Sequence, residues 1–405
     1  MDYLEQRRKL RQMVQERLDY GRDYTDEEVE DTIDEVLMEQ ENLELCSVEL
    51  RRRLRKELFD SLRRLDILQI FVDDSSVTEI MINGLDHIFV ERDGQLQELD
   101  RAFDSMEKLQ DVIQQIVAGC NRVVNEASPI VDARLSNGAR VNIVMSPIAL
   151  NGPIITIRRF PDKPITMQKL IAMETISPEA ADFLKTLVKA GYNIFVSGGT
   201  GSGKTTFLNV LSGFIPPEQR IITIEDSAEL QLQGIPNLVR LETRNGNAEG
   251  CREIGIRELI RSSLRMRPDR IIVGEVRGAE AIDMLQCMNT GHDGSMSTGH
   301  ANSAADMLSR LENMVLMGMD LPLPAIRNQI ASGVDIIVHL GRIRDKSRKV
   351  LEITEVAGCE NREIRLNPLY CFEELGESSE GNVVGKLQKK GGLLHEGKLK
   401  AAGLS

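Results

Sequence analysis

The chain has 405 residues, and its 50 lysines and arginines against 63 aspartates and glutamates give a net charge of −13. At roughly 100–200 residues per domain, this length predicts two or three domains. No apolar run approaches the ~18 residues of a membrane span, and the first residues lack the apolar segment of a secretory signal. We therefore expect a cytoplasmic protein.

The cysteine and aromatic content further restricts the class of protein to which the chain can belong. The six cysteines include no C-x-x-C pair, which argues against a structural zinc site and against a disulfide framework. Tryptophan is absent and aromatic residues make up 4% of the chain. Binding of single-stranded nucleic acid requires stacking rings and a basic groove, so the composition weighs against nucleic acid as a partner.

Residues 1–66 are densely charged and carry helical periodicity. Thr25 and Glu28 form a capping box, the pattern that begins a helix. Apolar residues then follow on one helical face, first Val29, Ile33, Val36 and Leu37, and later Leu50, Leu54, Leu58, Leu62 and Leu65. We predict a helical N-terminal extension, which is either a solvated appendage or a docking module for a partner; the appendage is favoured.

Residues 67–160 change to a period of two, which is typical of strands. The predicted strands are 77–83, 87–92 and 95–100, with a turn at Asp93-Gly94, and then 130–135, 139–145 and 153–159. A helix is predicted near 105–125. This pattern indicates a small α+β domain, and the two prolines within 160–164 predict a linker over 161–168.

Residues 169–375 alternate between strands and helices. Ser177 and Pro178 begin a predicted helix that ends at Ala190-Gly191. Strands at 192–197, 220–225 and 270–275 and a helix from Lys204 to about Ser212 then predict a mostly parallel sheet covered on both faces. Residues 376–405 are rich in glycine and lysine, and we expect a peripheral hairpin or tail.

The strongest motif matches G-x-x-x-x-G-K-[ST] and lies between an apolar strand and a helix. Glycines let the backbone amides wrap a phosphate closely, and the helix N-terminus adds positive charge. Lys204 would neutralise the β- and γ-phosphates, and the Thr205 hydroxyl would bind Mg²⁺. A dinucleotide-binding loop has no place for Lys-Thr, so a nucleoside triphosphate is favoured. The predicted nucleotide-binding residues are Gly198, Gly199, Thr200, Gly201, Ser202, Gly203, Lys204, Thr205 and Thr206.

Hydrolysis needs a carboxylate that orients a water molecule and another oxygen near the magnesium ion. Glu225 ends one predicted strand, and Glu275 ends another in a Gly-Glu pair. Acids at the carboxyl ends of parallel strands lie in the ligand crevice. One of the two is predicted as the base that polarises water and the other as a magnesium-associated group; in the second role Glu275 would act directly or through a water molecule. The sequence does not assign which residue has which role. Asp226 and Glu229 are interpreted as charges that begin a helix.

Two histidines lie eight residues apart in the Gly-rich segment 290–303. His300, at a strand end before a helix, is predicted to sense the γ-phosphate, and His292 is a second catalytic candidate. Binding of a metal by the pair lacks further ligands at a convincing spacing. His339 lies inside an apolar strand and is assigned to the core.

Two arginines in the predicted strands 130–135 and 139–145 indicate a binding site for an anion. A three-residue turn at Ser136–Gly138 would place Gly138 in the left-handed region and set Arg134 directly opposite Arg140. Like charges in that position cost roughly 0.2–1 kcal/mol. We therefore expect these residues, with Arg158 and Arg159, to reach a nucleotide phosphate, held by the same chain or by a neighbouring subunit; ordinary surface arginines are the alternative.

These motifs, in this order, resemble the type II/IV secretion-system ATPases. The matching segments are GGTGSGKT, ITIEDSAE, RMRPDRIIVGEVRG and TGHDGSMSTGHANS; DARLSNGARVNIV and AIRNQIASGVDIIVHL resemble the CpaF-type branch that serves tight-adherence (Flp) pili. The likeness covers roughly 70–370. It implies a RecA-like ATPase domain, a PAS-like N-terminal domain, a homo-hexamer, and docking on an inner-membrane platform protein that acts on pilin. It carries the family roles to Lys204, Thr205, Glu225, Glu275, His292, His300, Arg134, Arg140, Arg158 and Arg159.

The sequence thus predicts a cytoplasmic, magnesium-dependent ATPase that powers pilus assembly or protein secretion at the inner face of the membrane. Two alternatives stay open. One is a RecA-like motor that moves nucleic acid, and the other is a scaffold that binds ATP without useful turnover.

Overall fold

The computed structural model describes residues 3–18, 21–39, 48–92, 94–120, 122–159, 164–244, 252–379 and 381–404. The chain divides into two compact units, Met1–Asp162 and Lys163–Ser405. Asp93 of the predicted turn and 160–163 of the predicted linker segment lie outside the described residues. Within the described part, no helix combines the length and the apolar character needed to cross a bilayer.

The first unit begins with α1 (Tyr3–Arg17), α2 (Asp26–Glu39) and α3 (Val48–Arg63). The predicted capping box is confirmed, because the Thr25 backbone N–H donates to Glu28 Oε2 at 2.8 Å and the Glu28 N–H donates to Thr25 Oγ1 at 3.3 Å. The apolar faces of the three helices form a small core. Leu65 lies beyond α3 and joins the core of the following sheet instead. A 3-10 turn (Asp66–Leu68) and α4 (Gln69–Asp73) follow.

A six-stranded antiparallel sheet completes this unit, with the order β3-β2-β1-β6-β5-β4. Its apolar face packs on α5 (Met106–Ala118), which Ser105 caps. The helix ends before the predicted residue 125, because an irregular segment with a bridge from Asn125 to Ser128 leads into β4. The strands are β1 (Val77–Asn83), β2 (His87–Arg92), β3 (Gln95–Glu98), β4 (Ile130–Arg134), β5 (Arg140–Val144) and β6 (Ile154–Arg158).

The second unit alternates helices with strands, as the sequence predicts. Its helices are α6 (Met167–Ala172), α7 (Pro178–Lys189), α8 (Lys204–Ser212), α9 (Ile256–Ser263), α10 (Ala281–Asn289), α11 (Ala304–Gly318), α12 (Leu323–Gly333) and α13 (Gly397–Ala401). Its strands are β7 (Ile194–Gly198), β8 (Ile221–Glu225), β9 (Leu238–Glu242), β10 (Arg270–Val273), β11 (Met296–Gly299), β12 (Ile336–Arg342), β13 (Arg348–Glu360), β14 (Glu363–Glu377) and β15 (Val383–Lys389).

These strands form one mixed sheet with the order β15-β14-β13-β12-β7-β11-β10-β8-β9. The pairs from β12 to β9 are parallel, whereas β12 to β15 pair antiparallel. The expectation of a mostly parallel sheet therefore holds for six strands. The other three follow as hairpins at one edge, and short connections between consecutive strands enforce antiparallel pairing.

The parallel strands are buried on both faces, which explains their nearly continuous apolar sequences. Ile194 and Val196 pack into one core with α7 and α8, whereas Phe195 packs into a second core with α10, α11 and α12. Residues 226–237 between β8 and β9 are irregular. The interpretation of Asp226 and Glu229 as charges that begin a helix is therefore wrong.

The C-terminal residues, expected as a peripheral hairpin or tail, contribute the edge strand β15, which pairs antiparallel with β14, and the short helix α13. The buried carboxylate of Glu355 accepts hydrogen bonds from the backbone N–H groups of Leu394 and His395, each at 2.8 Å. The ammonium group of Lys398 lies 2.7 Å from an Asp335 carboxylate oxygen. The segment after β15 is thus held against the sheet by buried or half-buried acids.

Candidate functional site

Four neighbouring parallel strands end at one edge of the large sheet, and each leads into a predicted site residue. In sheet order, β7, β11, β10 and β8 lead into the Gly-rich loop, His300, Glu275 and Glu225. The carboxyl ends of parallel strands meet at a common edge. The topology therefore gathers residues that lie far apart in the sequence.

The Gly-rich loop, residues 198–203, connects β7 to α8. Gly203 caps α8 with a φ of 93°, a left-handed conformation that favours glycine. The Ser202 hydroxyl donates to the Gly199 carbonyl at 2.9 Å and closes the loop. A Cβ atom at Gly199 or at Gly201 would meet no other atom within 4 Å, so open space lies against the loop. Backbone amides and a helix N-terminus beside open space fit a bound phosphate.

Lys204 begins a chain of charged contacts across the strand ends. Its ammonium group donates to the Gly199 carbonyl at 3.0 Å and lies 3.2 Å from His300 Nδ1. His300 Nε2 lies 2.9 Å from Glu275 Oε1, and Arg277 Nη2 lies 2.6 Å from Glu275 Oε2. The chain therefore runs from the phosphate loop through His300 to Glu275 and ends at Arg277.

His300 is held as a neutral bridge in this chain. Burial lowers its pKa, and the neighbouring Glu275 carboxylate offsets only part of that shift. Because Lys204 can only donate, it faces an unprotonated Nδ1, which assigns the ring proton to Nε2 on the side of Glu275. Burial also lowers the pKa of Lys204, again opposed by Glu275. The state of His300 is thus coupled to the position of Lys204.

Glu225 differs from Glu275 in its surroundings. It is 2% exposed, and burial raises its pKa from 4.5 to about 7. Its Oε2 accepts hydrogen bonds from the backbone N–H groups of Glu229 (2.7 Å) and Leu230 (2.9 Å), while Oε1 has no partner among the described residues. The side chain packs against Gly274, where an added Cβ would lie 3.0 Å from Glu225 Cγ. Glu225 therefore braces the segment after β8 through one of its two carboxylate oxygens.

The other two histidines lie elsewhere. His292 precedes β11, at the opposite end of that strand from His300, and its Nδ1 lies 3.3 Å from the Cys287 carbonyl oxygen. The structure does not bring it to the Gly-rich loop. His339 is 5% exposed within β12, with its Nδ1 2.9 Å from the Ser197 hydroxyl. Its assignment to the core is confirmed.

The site has the donors that a nucleotide with magnesium needs. Thr205, in the first turn of α8, carries a half-buried hydroxyl, and Glu275 carries a half-buried carboxylate. Magnesium is usually held by one or two protein oxygens together with the substrate phosphates, and these residues would supply them. A polar cavity of about 460 Å³ is lined by Gly199, Thr200 and His300, together with Asp306 and Arg310. It leaves room for further groups next to the loop.

The predicted arginine register in the first unit is confirmed. Arg134 pairs with Arg140 across β4 and β5, and Arg140 pairs with Arg158 across β5 and β6. Gly138 has a φ of 89°, as the three-residue turn requires. Three arginines therefore lie side by side on one face of the sheet. Arg159 is separate from this row, since its guanidinium contacts the Asp74 carbonyl.

Two arginines near the site were missed in the sequence. Arg277 follows Glu275 by two residues and holds its carboxylate, a contact that the Gly-Glu-x-Arg spacing could have indicated. Arg348 begins β13, and its Nε donates to the Gly201 carbonyl in the Gly-rich loop at 2.9 Å. No motif precedes or follows Arg348, so only the pairing of β13 with β12 reveals it.

The fold and the site together define an α/β protein with a Gly-rich loop at the carboxyl edge of its parallel strands. The sequence profile described as type II/IV secretion system protein matches residues 62–373. The match covers more than half of the chain, and the chain belongs to this family.

Two curated relatives extend this result. The conjugal transfer protein TrbB of Rhizobium radiobacter is 32% identical over 325 residues, which cover 80% of this chain and 96% of TrbB. The type IV secretion system protein PtlH of Bordetella pertussis is 33% identical over 316 residues, which cover 71% of this chain and 93% of PtlH. The similarity therefore spans nearly the whole of both relatives.

Solved structures agree on the fold. The pilus retraction motor PilT with bound ADP has a TM-score of 0.52 at 20% identity, covering 76% of this chain and 82% of that one. The Legionella pneumophila ATPase DotB has a TM-score of 0.51 at 20% identity, covering 71% and 79%. Both share the α/β fold with mixed sheets.

Proposed function

We propose that this protein is a magnesium-dependent ATPase whose hydrolysis site is the charged chain from Lys204 to Arg277. The observation that carries the proposal is the contact of Lys204 with His300 and of His300 with Glu275. The lysine of the Gly-rich loop contacts a neutral histidine, and that histidine contacts a carboxylate. That arrangement can detect a γ-phosphate and direct a water molecule at it.

The proposed sequence of events starts from the contacts of Lys204 with His300 and of His300 with Glu275. A bound triphosphate draws the Lys204 ammonium group toward its β- and γ-phosphates and away from His300. His300 Nδ1 then loses its donor, so the ring can turn toward the γ-phosphate and release Glu275. Magnesium, when bound, neutralises phosphate charge, with Thr205 among the oxygens that would hold it and Glu275 near it, directly or through water.

We assign the general base to Glu275 rather than to Glu225. The Glu275 carboxylate is half-buried, and among the described residues its ion-pair contacts are with the side chains of Arg277 and His300. Glu225, in contrast, is fixed by two backbone N–H groups, and its raised pKa keeps much of it protonated near neutral pH. A protonated carboxyl is a poor base. Glu225 would instead hold the strand edge and the water near the magnesium ion.

The arginine row of the first unit is proposed to complete the site. Arg134, Arg140 and Arg158 form a positively charged row on one face of the sheet. The anion that we propose for this row is the phosphate of the nucleotide bound at the Gly-rich loop. The phosphate is held either by the same chain or by its neighbour in a homo-hexamer. Mixing Lys204→Ala protein with Arg140→Ala protein distinguishes these cases, because only contact between neighbours restores activity in the mixture. We keep Arg159 as a weaker contributor, because the Asp74 carbonyl already engages it.

At the level of the cell, we propose a motor that acts at the cytoplasmic face of the inner membrane. Its RecA-like domain and its PAS-like N-terminal domain would move relative to each other as ATP is hydrolysed and would drive a membrane platform protein. The segments shared with CpaF-type proteins favour assembly of tight-adherence (Flp) pili, with pilin as an indirect partner. Stimulation of turnover by a platform fragment would support this function, and stimulation by DNA would favour nucleic acid transport.

Steady-state phosphate release tests the enzymatic proposal. Lys204→Ala should lose at least about 100-fold in turnover, since it removes the cation that meets the transferring phosphoryl group. The matched control is Lys189→Ala, which alters an exposed lysine at the end of α7. Full turnover in Lys204→Ala, or no turnover in folded wild-type protein with magnesium and ATP, would overturn the proposal.

A further inference from the structure

We propose that Arg348 is a nucleotide-binding residue that contacts the phosphates shared by ADP and ATP. This inference rests on the proposed function, because it requires a nucleotide on the Gly-rich loop. It adds to that function a residue from the antiparallel part of the sheet, far from the loop in sequence.

The first observation is the direct contact between Arg348 and the loop. Its Nε donates to the Gly201 carbonyl at 2.9 Å, and its Cδ lies 3.5 Å from the position that a Cβ of Gly203 would occupy. The aliphatic part of the side chain therefore runs beside the second half of the loop. That half leads directly into the N-terminus of α8, where a phosphate would bind.

The second observation is that the rest of the guanidinium group is uncommitted. Among the described residues, the contact with Gly201 is the single hydrogen bond or ion pair of the Arg348 side chain. Nε anchors the group, and the two terminal nitrogens remain available as donors at the exposed surface of the loop. Arginine presents its donors in a planar fork that matches two phosphate oxygens.

The third observation is the position of Arg348 in the sheet. The loop strand β7 lies between β12 on one side and β11 on the other, and β10 lies beyond β11. His300 and Glu275 follow β11 and β10, whereas Arg348 begins β13, opposite Arg342 at the end of β12. Arg348 and the hydrolytic residues thus approach the loop from opposite sides.

This placement decides which part of the nucleotide Arg348 can contact. The proposed function sets the γ-phosphate beside His300 and Glu275. An extended triphosphate that crosses the loop must then present its remaining phosphates on the side of Arg348. Arg348 would bind ADP and ATP equally. Such uniform binding lowers the nucleotide concentration that half-saturates the site, but it does not raise the rate of the chemical step.

Competition against a fluorescent ADP tests this assignment on the full chain. The proteins are wild type, Arg348→Ala, Arg348→Lys and the control Arg342→Ala, whose Nε donates to the Lys346 carbonyl instead. We expect Arg348→Ala to weaken ADP and a hydrolysis-resistant ATP analogue about tenfold each, the loss of one charge-assisted contact. Turnover at saturating ATP should stay within about twofold, Arg348→Lys should recover part of the affinity, and Arg342→Ala should match wild type.

The outcomes separate this inference from the proposed function. Wild-type protein that binds neither nucleotide overturns both. Wild-type protein that binds normally, together with an unchanged Arg348→Ala variant, overturns only the role of Arg348. A loss confined to the ATP analogue also overturns it, because that result would place Arg348 at the γ-phosphate. Equal losses for both nucleotides, with thermal melting unchanged and partial rescue by lysine, support it.

Discussion

The two sheets of this protein arrange charge in opposite ways. At the carboxyl edge of the large sheet, unlike groups contact one another in turn: the cation Lys204, the neutral His300, the anion Glu275 and the cation Arg277. On the small sheet, Arg134, Arg140 and Arg158 lie side by side in one cross-strand row. In the first set each side chain contacts the next one along the strand ends. The second set is a row of three arginines that continues into Glu79, which lies opposite Arg158 on β1.

The largest effect should come from breaking the alternating chain at its carboxylate. Glu275→Gln keeps the shape of the side chain but removes the base, and turnover should fall about 100-fold or more while nucleotide still binds. Phosphate release and nucleotide binding measured on the same sample check both parts. Glu253→Gln, at an exposed position of the same unit, should behave as wild type. Full activity in Glu275→Gln with loss in Glu225→Gln would exchange the two roles.

A smaller effect is expected at the histidine bridge. His300→Asn removes the ring between Lys204 and Glu275, and kcat should fall about tenfold, the loss expected for one hydrogen bond to a charged group. Affinity for ADP, which lacks the γ-phosphate, should be unchanged. His292→Asn is the matched control and should stay within about twofold, since His292 lies at the other end of β11. Equal losses in both variants would contradict the assigned role of His300.

Substitutions in the arginine row should lower turnover by a smaller factor than the substitution of His300. Arg140→Ala and Arg134→Ala should each lower turnover about fivefold at low salt, since each removes one of several cations that face the same anion. Added salt should shrink the difference from wild type. Arg52→Ala, at an exposed position of α3, provides the control. Turnover near the wild-type value in both variants at every salt concentration would show that the row serves no nucleotide.

The smallest effect concerns stability and pH. The pKa of Glu225 in the folded protein, about 7, lies above the ordinary value of 4.5. Its contribution to stability is therefore complete below pH 4.5 and is lost as the pH rises through 7. Its full size is on the order of 3 kcal/mol. Relative to Glu225→Gln, which cannot ionise, wild-type protein should melt several degrees higher at pH 5 than at pH 8. A pH-independent difference would show that Glu225 stays ionised.

Local sequence patterns were sufficient to predict much of the fold. The capping box at Thr25, the Gly-rich loop and the register that sets Arg134 against Arg140 each depend on residues close in sequence, and each was predicted. The antiparallel half of the large sheet was not, because β13 to β15 alternate less clearly and contain polar residues on both faces. Met106–Ala118 also ended earlier than its apolar pattern indicated.

The site was predicted only in part for a related reason. His300 and Glu275 follow recognisable strand ends, but the contact between them depends on the sheet order, which places β11 beside β10. Arg348 lies in a strand without a motif and reaches the loop through the pairing of β13 with β12. His292 shows the converse, since its closeness to His300 in sequence does not bring it to the loop. Sequence spacing thus predicts chemistry well within one loop and poorly across strands.

Calorimetric titration with magnesium and a hydrolysis-resistant ATP analogue tests the central claim most directly. Wild-type protein should bind one analogue per chain through the loop at 198–203, and Lys204→Ala should bind at least about tenfold more weakly because it lacks the loop's cation. Folded wild-type protein that shows no binding would contradict the account. So would Lys204→Ala protein that binds as tightly as wild type.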